Sequence, residues 1–263
     1  MRIIFIGLVA IILTSCKIVQ NKTNFHKNVV VAHRGAWKTL GLPQNSIASL
    51  KQAIKLGYRG SEFDVRMTSD DSLVIHHDPD FNNLEIEKTT FAELRKFKLS
   101  NGEELPTLHE YLSAGLANNS GTMLVCEIKP YDGGAERADK VATKVVQTVK
   151  DLNAQKLVGY ISFDYNILKK VHQLDPKATT QYLEANKTPE EVAADGLTGV
   201  DYYFTAFQKN KDWISMAKKK GITLNAWTVN NPEDMDWLLK DGFDFITTNE
   251  PELLLSKEKA LKK

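Results

Sequence analysis

Apolar residues along this chain fall into two alternating patterns. Short unbroken runs such as Val29-Val30-Val31-Ala32 and Met123-Leu124-Val125-Cys126 have the length and composition of strands buried on both faces. Between such runs, apolar positions recur at helical spacing. Ile47, Leu50, Ala53 and Ile54 share one face of a helix expected near Ser46–Leu56, which Gly57 stops. The same reading gives further strands at Gly60–Val65, Met123–Ile128, Val158–Ser162, Thr179–Tyr182, Tyr202–Phe204, Ile222–Trp227 and Phe245–Thr247. Helices are expected near Leu108–Ala117, Ala135–Leu152, Ile167–Leu174, Pro189–Asp195, Lys211–Lys220 and Pro232–Lys240, with a last one beginning near Glu252. Leu73–Ile75 counts as an extension of the second strand. Residues 79–106 break the rhythm: they are polar, hold one short helix candidate at Phe91–Lys98, and read as an inserted lobe.

Alternation of this kind implies a parallel sheet. Eight strand–helix units in about 250 residues fit a closed (β/α)₈ TIM barrel, with a small insertion after the second strand region, better than an open doubly wound sheet. No Gly-x-Gly-x-x-Gly follows the first strand, which argues against a dinucleotide site.

The N-terminus stands apart from this pattern. Met1-Arg2 is a positive start and Ile3 to Leu13 is almost wholly apolar, too short to span a bilayer as a helix. The run ends in Leu13-Thr14-Ser15-Cys16, which resembles a bacterial lipobox. The resemblance implies a lipoprotein signal over residues 1–15, lipidation of Cys16, a polar tether over 16–28 and a single domain over 29–263. It also implies a location in the cell envelope, membrane-attached through the lipid. Cys126 is then the one remaining cysteine, so no disulfide is expected, and its apolar neighbours mark it as a small buried hydrophobe.

Charge narrows the partners little. The formal net charge is +1. No Lys/Arg stripe with interleaved aromatics is present, so a dedicated nucleic-acid binder is not expected, and no protein partner is evident.

Active sites of such barrels lie at the C-terminal ends of the strands, and the ionisable residues gather there. His33 and Arg34 end the first strand. Glu62 and Asp64, two apart and therefore on one face, lie near the end of the second. Glu127 ends the Met123–Ile128 run, with Lys129 two positions on. Three converging carboxylates repel one another unless a cation is held between them, and oxygen-only ligands suit Ca²⁺ or Mg²⁺. His33 and His77 are acid–base candidates. His76 is expected to face the other way from His77. Arg34 offers a fork for phosphate oxygens, Lys129 a point charge, and Trp227 a wall for the pocket.

These pieces together resemble the glycerophosphodiester phosphodiesterase family. The resemblance rests on His33-Arg34-Gly35, Pro43-Gln44-Asn45-Ser46, Glu62-Phe63-Asp64-Val65, His77-Asp78, Pro106-Thr107-Leu108, Glu127-Ile128-Lys129 and Trp227-Thr228-Val229-Asn230, in that order. It implies that His33 and His77 form the acid–base pair. Glu62, Asp64 and Glu127 become metal ligands, and Arg34, Lys129, Trp227 and Asn45 substrate contacts. The implied reaction is hydrolysis of deacylated phospholipids to sn-glycerol 3-phosphate and an alcohol. A related barrel phospholipase and a lipid-anchored binding protein without turnover are the alternatives. The chain departs from the commoner family pattern at Gln44, where glutamate is more frequent, and at Thr248-Asn249-Glu250-Pro251, where Thr-Asp-x-Pro is; the second change is expected to alter only a rim contact.

Overall fold

The computed structural model describes residues 24–130 and 134–262. The proposed signal segment and Cys16 lie outside the described residues. The elements run β1 (Val30–Ala32), α1 (Ile47–Leu56), β2 (Gly60–Met67), β3 (Leu73–Ile75), β4 (Asp80–Phe81), β5 (Leu84–Glu85), α2 (Phe91–Leu94), α3 (Leu108–Leu116), β6 (Met123–Ile128) and α4 (Gly134–Asp151). They continue with β7 (Val158–Ser162), α5 (Tyr165–Leu174), β8 (Thr179–Tyr182), α6 (Pro189–Ala194), β9 (Gly199–Tyr203), α7 (Phe204–Lys209), α8 (Asp212–Lys220), β10 (Thr223–Trp227), α9 (Pro232–Lys240), β11 (Phe245–Thr248) and α10 (Pro251–Leu261).

Among the described residues, β1-β11-β10-β9-β8-β7-β6-β2 pair in that order, each contact parallel, and β2 returns to β1. That is the closed eight-stranded barrel, with helices outside it. Its local causes are visible in the sequence. Ser46 caps α1 by accepting from Ser49 N–H, and Gly57 ends it in the left-handed conformation at φ 69°. Thr107 and Glu110 form a capping box on α3, and Thr188 and Glu191 one on α6.

Strand pleating sorts the core into two shells. Outward-facing Val30, Phe63, Val65, Leu124 and Cys126 join the large cluster beneath the helices. Inward-facing Val31, Met123, Val125, Ile161 and Phe245 fill the barrel itself. Each such side chain contributes about 1.5–3 kcal/mol on burial. Two residues further up the same inward row, Val125 gives way to Glu127, and the filling changes from apolar to ionisable.

Three findings differ from the sequence reading. First, β3 does not extend β2. It folds back antiparallel to it, Val65 opposite Ile75, with His76 N–H donating to Asp64 carbonyl at 3.0 Å. Second, the insertion contains the β4–β5 hairpin, and its Phe81, Ile86, Leu94 and Leu105 form a small separate core against Val74 of β3. Third, residues 24–28, expected to end a tether, close the barrel floor. The Phe25 ring packs under the Arg59 guanidinium at 5.0 Å, and Arg59 Nη1 donates to the His26 carbonyl at 3.0 Å. Asn28 Oδ1 accepts from Arg59 N–H at 2.9 Å and Val30 N–H at 3.1 Å. No helix among the described residues is long and apolar enough to cross a membrane.

Candidate active site

The barrel mouth opens on a cavity of about 230 Å³. His33, Arg34, Glu62, His77, Glu127 and Lys129 line one side. Ile161, Phe163, Leu183, Asp201, Trp227 and Thr247 line the other. The backbone delivers the first group with little freedom. Arg34 and Gly35 take φ values of 59° and 84° in succession, which turns the chain sharply after β1. Arg34 N–H thereby donates to Glu62 Oε2 at 2.8 Å. A Cβ on Gly35 would lie 2.7 Å from the Ser49 backbone carbon, so no other residue fits there without displacement. Arg66 Nε and Nη2 both donate to the His77 carbonyl, at 2.9 and 2.8 Å, fixing the rim beyond β3.

Glu62, Asp64 and Glu127 each offer an oxygen within 4.8 Å of the others, and all three are buried. Lys129 Nζ lies 2.7 Å from Asp64 Oδ1 and 2.7 Å from Glu127 Oε1. One ammonium faces three carboxylates. Burial, then the Asp64 and Glu127 charges, push Glu62 well above the usual carboxylate range. Burial and Asp64 raise Glu127 to about 7. Burial also acts to raise Asp64, but Lys129, His77 and Asn45 outweigh it and hold this carboxyl below its usual range. Burial acts to lower Lys129, yet Asp64 and Glu127 keep it raised.

The donor set fits a hard divalent cation. It consists of oxygens alone, it carries excess negative charge, and Glu62 Oε1 is buried without a hydrogen-bond partner among the described residues.

The two histidines face this cluster from different supports. His33 Nδ1 meets Asn249 Oδ1 at 2.8 Å, and its Nε2 lies 3.9 Å from Glu62 Oε2. Burial, then Arg34, lower it to about 4. His77 Nδ1 meets Asp78 Oδ1 at 2.7 Å, and burial lowers this imidazole too. His76 packs its ring edge against Phe81, 5.2 Å away, inside the insertion.

Asn45, expected as a substrate contact, is not among the residues that line the cavity. Its Nδ2 donates to Asp64 Oδ2 at 2.8 Å and its Oδ1 accepts from Asp64 N–H at 3.1 Å, so it brackets a candidate ligand. Trp227 does line the cavity. Its Nε1 donates to the Asp201 carbonyl at 2.9 Å, and its ring meets Phe163 edge-on at 5.3 Å. Cys126 is buried, and its thiol is raised well above the usual range by that burial and by the Glu62 charge.

Residues 33–253 match the glycerophosphoryl diester phosphodiesterase family. The chain belongs to that family. Among solved structures it is similar to a glycerophosphodiester phosphodiesterase from Parabacteroides distasonis, 39% identical with a TM-score of 0.87, over 91% of this chain and 100% of that one. A phosphodiesterase from Oleispira antarctica, solved in complex with the product sn-glycerol 3-phosphate, is 25% identical with a TM-score of 0.75, over 88% of this chain and 96% of that one. A glycerophosphodiester phosphodiesterase from Caldanaerobacter subterraneus subsp. tengcongensis is 29% identical over 246 residues, covering 88% of this chain and 97% of that protein.

Both departures from the commoner glycerophosphodiester phosphodiesterase pattern acquire contacts. Gln44 Oε1 accepts from Arg34 Nη1 at 2.7 Å, so the neutral amide steers the arginine without neutralising it. Asn249 is more than a rim contact: it supports His33 directly. Asp201 is a cavity residue that the sequence reading passed over. Its strand was expected to begin at Tyr202, whereas β9 begins at Gly199. The alternation of small or polar Gly199, Asp201 with apolar Val200, Tyr202 was the available signal.

Proposed function

We propose that this protein hydrolyses glycerophosphodiesters, deacylated phospholipids such as glycerophosphocholine or glycerophosphoethanolamine, to sn-glycerol 3-phosphate and an alcohol. One divalent cation, Ca²⁺ or Mg²⁺, serves as cofactor. The observation that carries this reading is the cluster of three buried carboxylates, of which Glu62 and Glu127 line one cavity together with two histidines and two cationic side chains. When bound by Glu62, Asp64 and Glu127, the cation supplies Lewis-acid polarisation of the phosphoryl oxygens. Arg34 and Lys129 present positive charge to the phosphate from the cavity wall. Each imidazole is held at Nδ1, leaving Nε2 to exchange protons. One of His33 and His77 takes a proton from the nucleophile, and the other returns one to the leaving alkoxide. Phe163 and Trp227 wall the substrate and keep water from the far side.

Release of glycerol 3-phosphate from glycerophosphocholine, with chelator and with metal add-back, tests this. The expected result is turnover that chelator abolishes and Ca²⁺ or Mg²⁺ restores, and that falls about 10²- to 10⁴-fold in His33→Ala or His77→Ala. Absence of turnover on every glycerophosphodiester overturns the reading. Turnover indifferent to chelator removes the metal.

The proposal extends to the N-terminus: residues 1–15 are a cleaved lipoprotein signal, Cys16 carries lipid, and the chain from Asn24 onward forms one enzyme domain in the cell envelope. The lipobox-like Leu13-Thr14-Ser15-Cys16 supports it. Labelling with a tagged fatty acid, lost in Cys16→Ala, is the corresponding test.

A further inference from the structure

We propose that Asp201 binds the glycerol hydroxyls of the substrate and makes the site selective for glycerol-bearing phosphates. This rests on the proposed function and assigns a residue to a part of the substrate that the phosphate-facing groups leave unmet.

Asp201 sits at the middle of β9, 1% exposed, and lines the mouth cavity. Neither carboxyl oxygen has a hydrogen-bond partner among the described residues. A buried carboxyl without partners is among the costliest groups a core can hold. Its neighbours show that the fold had donors to give. Asn225, directly opposite Asp201 in register, donates instead to Gln181 Oε1 at 3.1 Å and accepts from Thr247 Oγ1 at 3.2 Å. Those three satisfy one another across the barrel and leave Asp201 aimed at the cavity.

It is also apart from the metal cluster. Among the described residues, the only group with metal-ligand spacing is Glu62, Asp64 and Glu127. Most of what lines the cavity on Asp201's own side is apolar, Ile161, Phe163, Leu183 and Trp227, with the hydroxyls of Thr228 and Thr247 beside them. A buried carboxyl with two hydrogen-bonding atoms, set in a largely apolar wall across from the phosphate-facing cations, matches a small three-carbon unit with two adjacent hydroxyls. The C–H surface of glycerol packs on the wall, and its hydroxyls meet Asp201. The Trp227 indole, pinned to the Asp201 carbonyl, closes the pocket over them.

The test compares affinities of the metal-loaded protein for sn-glycerol 3-phosphate and for n-propyl phosphate, which lacks both hydroxyls, by calorimetry. Wild-type protein is expected to prefer glycerol 3-phosphate by a factor on the order of 30 to 100, as for a buried hydrogen-bonded group. In Asp201→Ala that preference falls to near one. In Asp201→Asn, which keeps one acceptor and one donor in the same shape, an intermediate preference is retained, and thermal melting checks that both variants are folded. A preference that survives in Asp201→Ala overturns the assignment, as does a wild-type protein indifferent to the hydroxyls. Glycerophosphocholine turnover by wild type, measured alongside, reports on the proposed function separately, because the affinity ratio does not depend on catalysis.

Discussion

The two sides of the barrel mouth treat buried acid in opposite ways. On the β2–β6 side, each carboxylate has close company: Asp64 is bracketed by Asn45 and faced by Lys129, Glu127 meets the same lysine, and Glu62 accepts from the Arg34 backbone. Across the cavity on β9, the Asp201 carboxyl has no hydrogen-bond partner among the described residues. Both sides are buried, and burial acts to raise the carboxyls of each, Asp201 well above the usual range through burial and then the Glu127 charge. The difference lies in what each is built to receive. A crowded cluster of three carboxylates, with Lys129 and Arg34 as its only neighbouring cations among the described residues, is completed by a further cation. An isolated carboxyl among apolar side chains is completed by neutral hydrogen-bonding groups.

The largest expected effect tests that division directly. Glu127→Gln or Glu62→Gln should lower glycerol 3-phosphate release by about 10³-fold or more, since each replaces one of three carboxylates of the proposed cation site with a neutral amide. Asp201→Ala should fall well short of that in initial-rate assays. Equal losses on the two sides would dissolve the comparison. A smaller effect is expected one shell back. Asn45→Ala frees Asp64 to rotate, and should weaken activation by metal about 10- to 100-fold in titrations while leaving the rate at saturating metal much less changed.

The smallest effect concerns stability. With Glu127 raised from 4.5 to about 7, the folded metal-free chain holds a proton there that the unfolded chain has lost between those values. The folded state then binds more protons, so this residue's contribution to stability falls as pH rises through that window. His33, lowered to about 4, acts in the opposite sense between about pH 4 and 6.5. The informative quantity is therefore a difference. In chelator, the melting temperature of Glu127→Gln should gain on the parent as pH goes from 5 to 8, and added cation should reverse its advantage. A difference flat in pH would place the cluster's charge elsewhere.

Much of this was legible beforehand, and the limits have physical causes. Buried parallel strands announce themselves as apolar runs, so the barrel and the rows bearing Glu62, Asp64 and Glu127 could be read by counting in twos. β9 could not be read so cleanly. Tyr202, Tyr203 and Phe204 form an aromatic run that straddles the end of the strand and the start of α7, and it drew the expected strand three residues late. Asp201 was lost with that shift. Asn45 and Asn249 show a different limit. Both are amides on loops, and whether an amide meets substrate or supports a neighbouring side chain is decided by tertiary placement alone. The hairpin β4–β5 is two residues per strand, too short for any periodicity.

Closure of the floor by Phe25 and His26 fixes a direction for the whole molecule. The chain enters at the pole opposite the cavity, so anything fastened upstream pulls on the base of the barrel. From Cys16 to Asn24 the backbone spans at most about 28 Å at full extension. A lipid on Cys16 would seat the base toward the bilayer and point the mouth outward, into the aqueous space. An enzyme held that way samples what diffuses past it. Such an enzyme would meet headgroup diesters already stripped of their acyl chains more readily than the phospholipids in the membrane behind it.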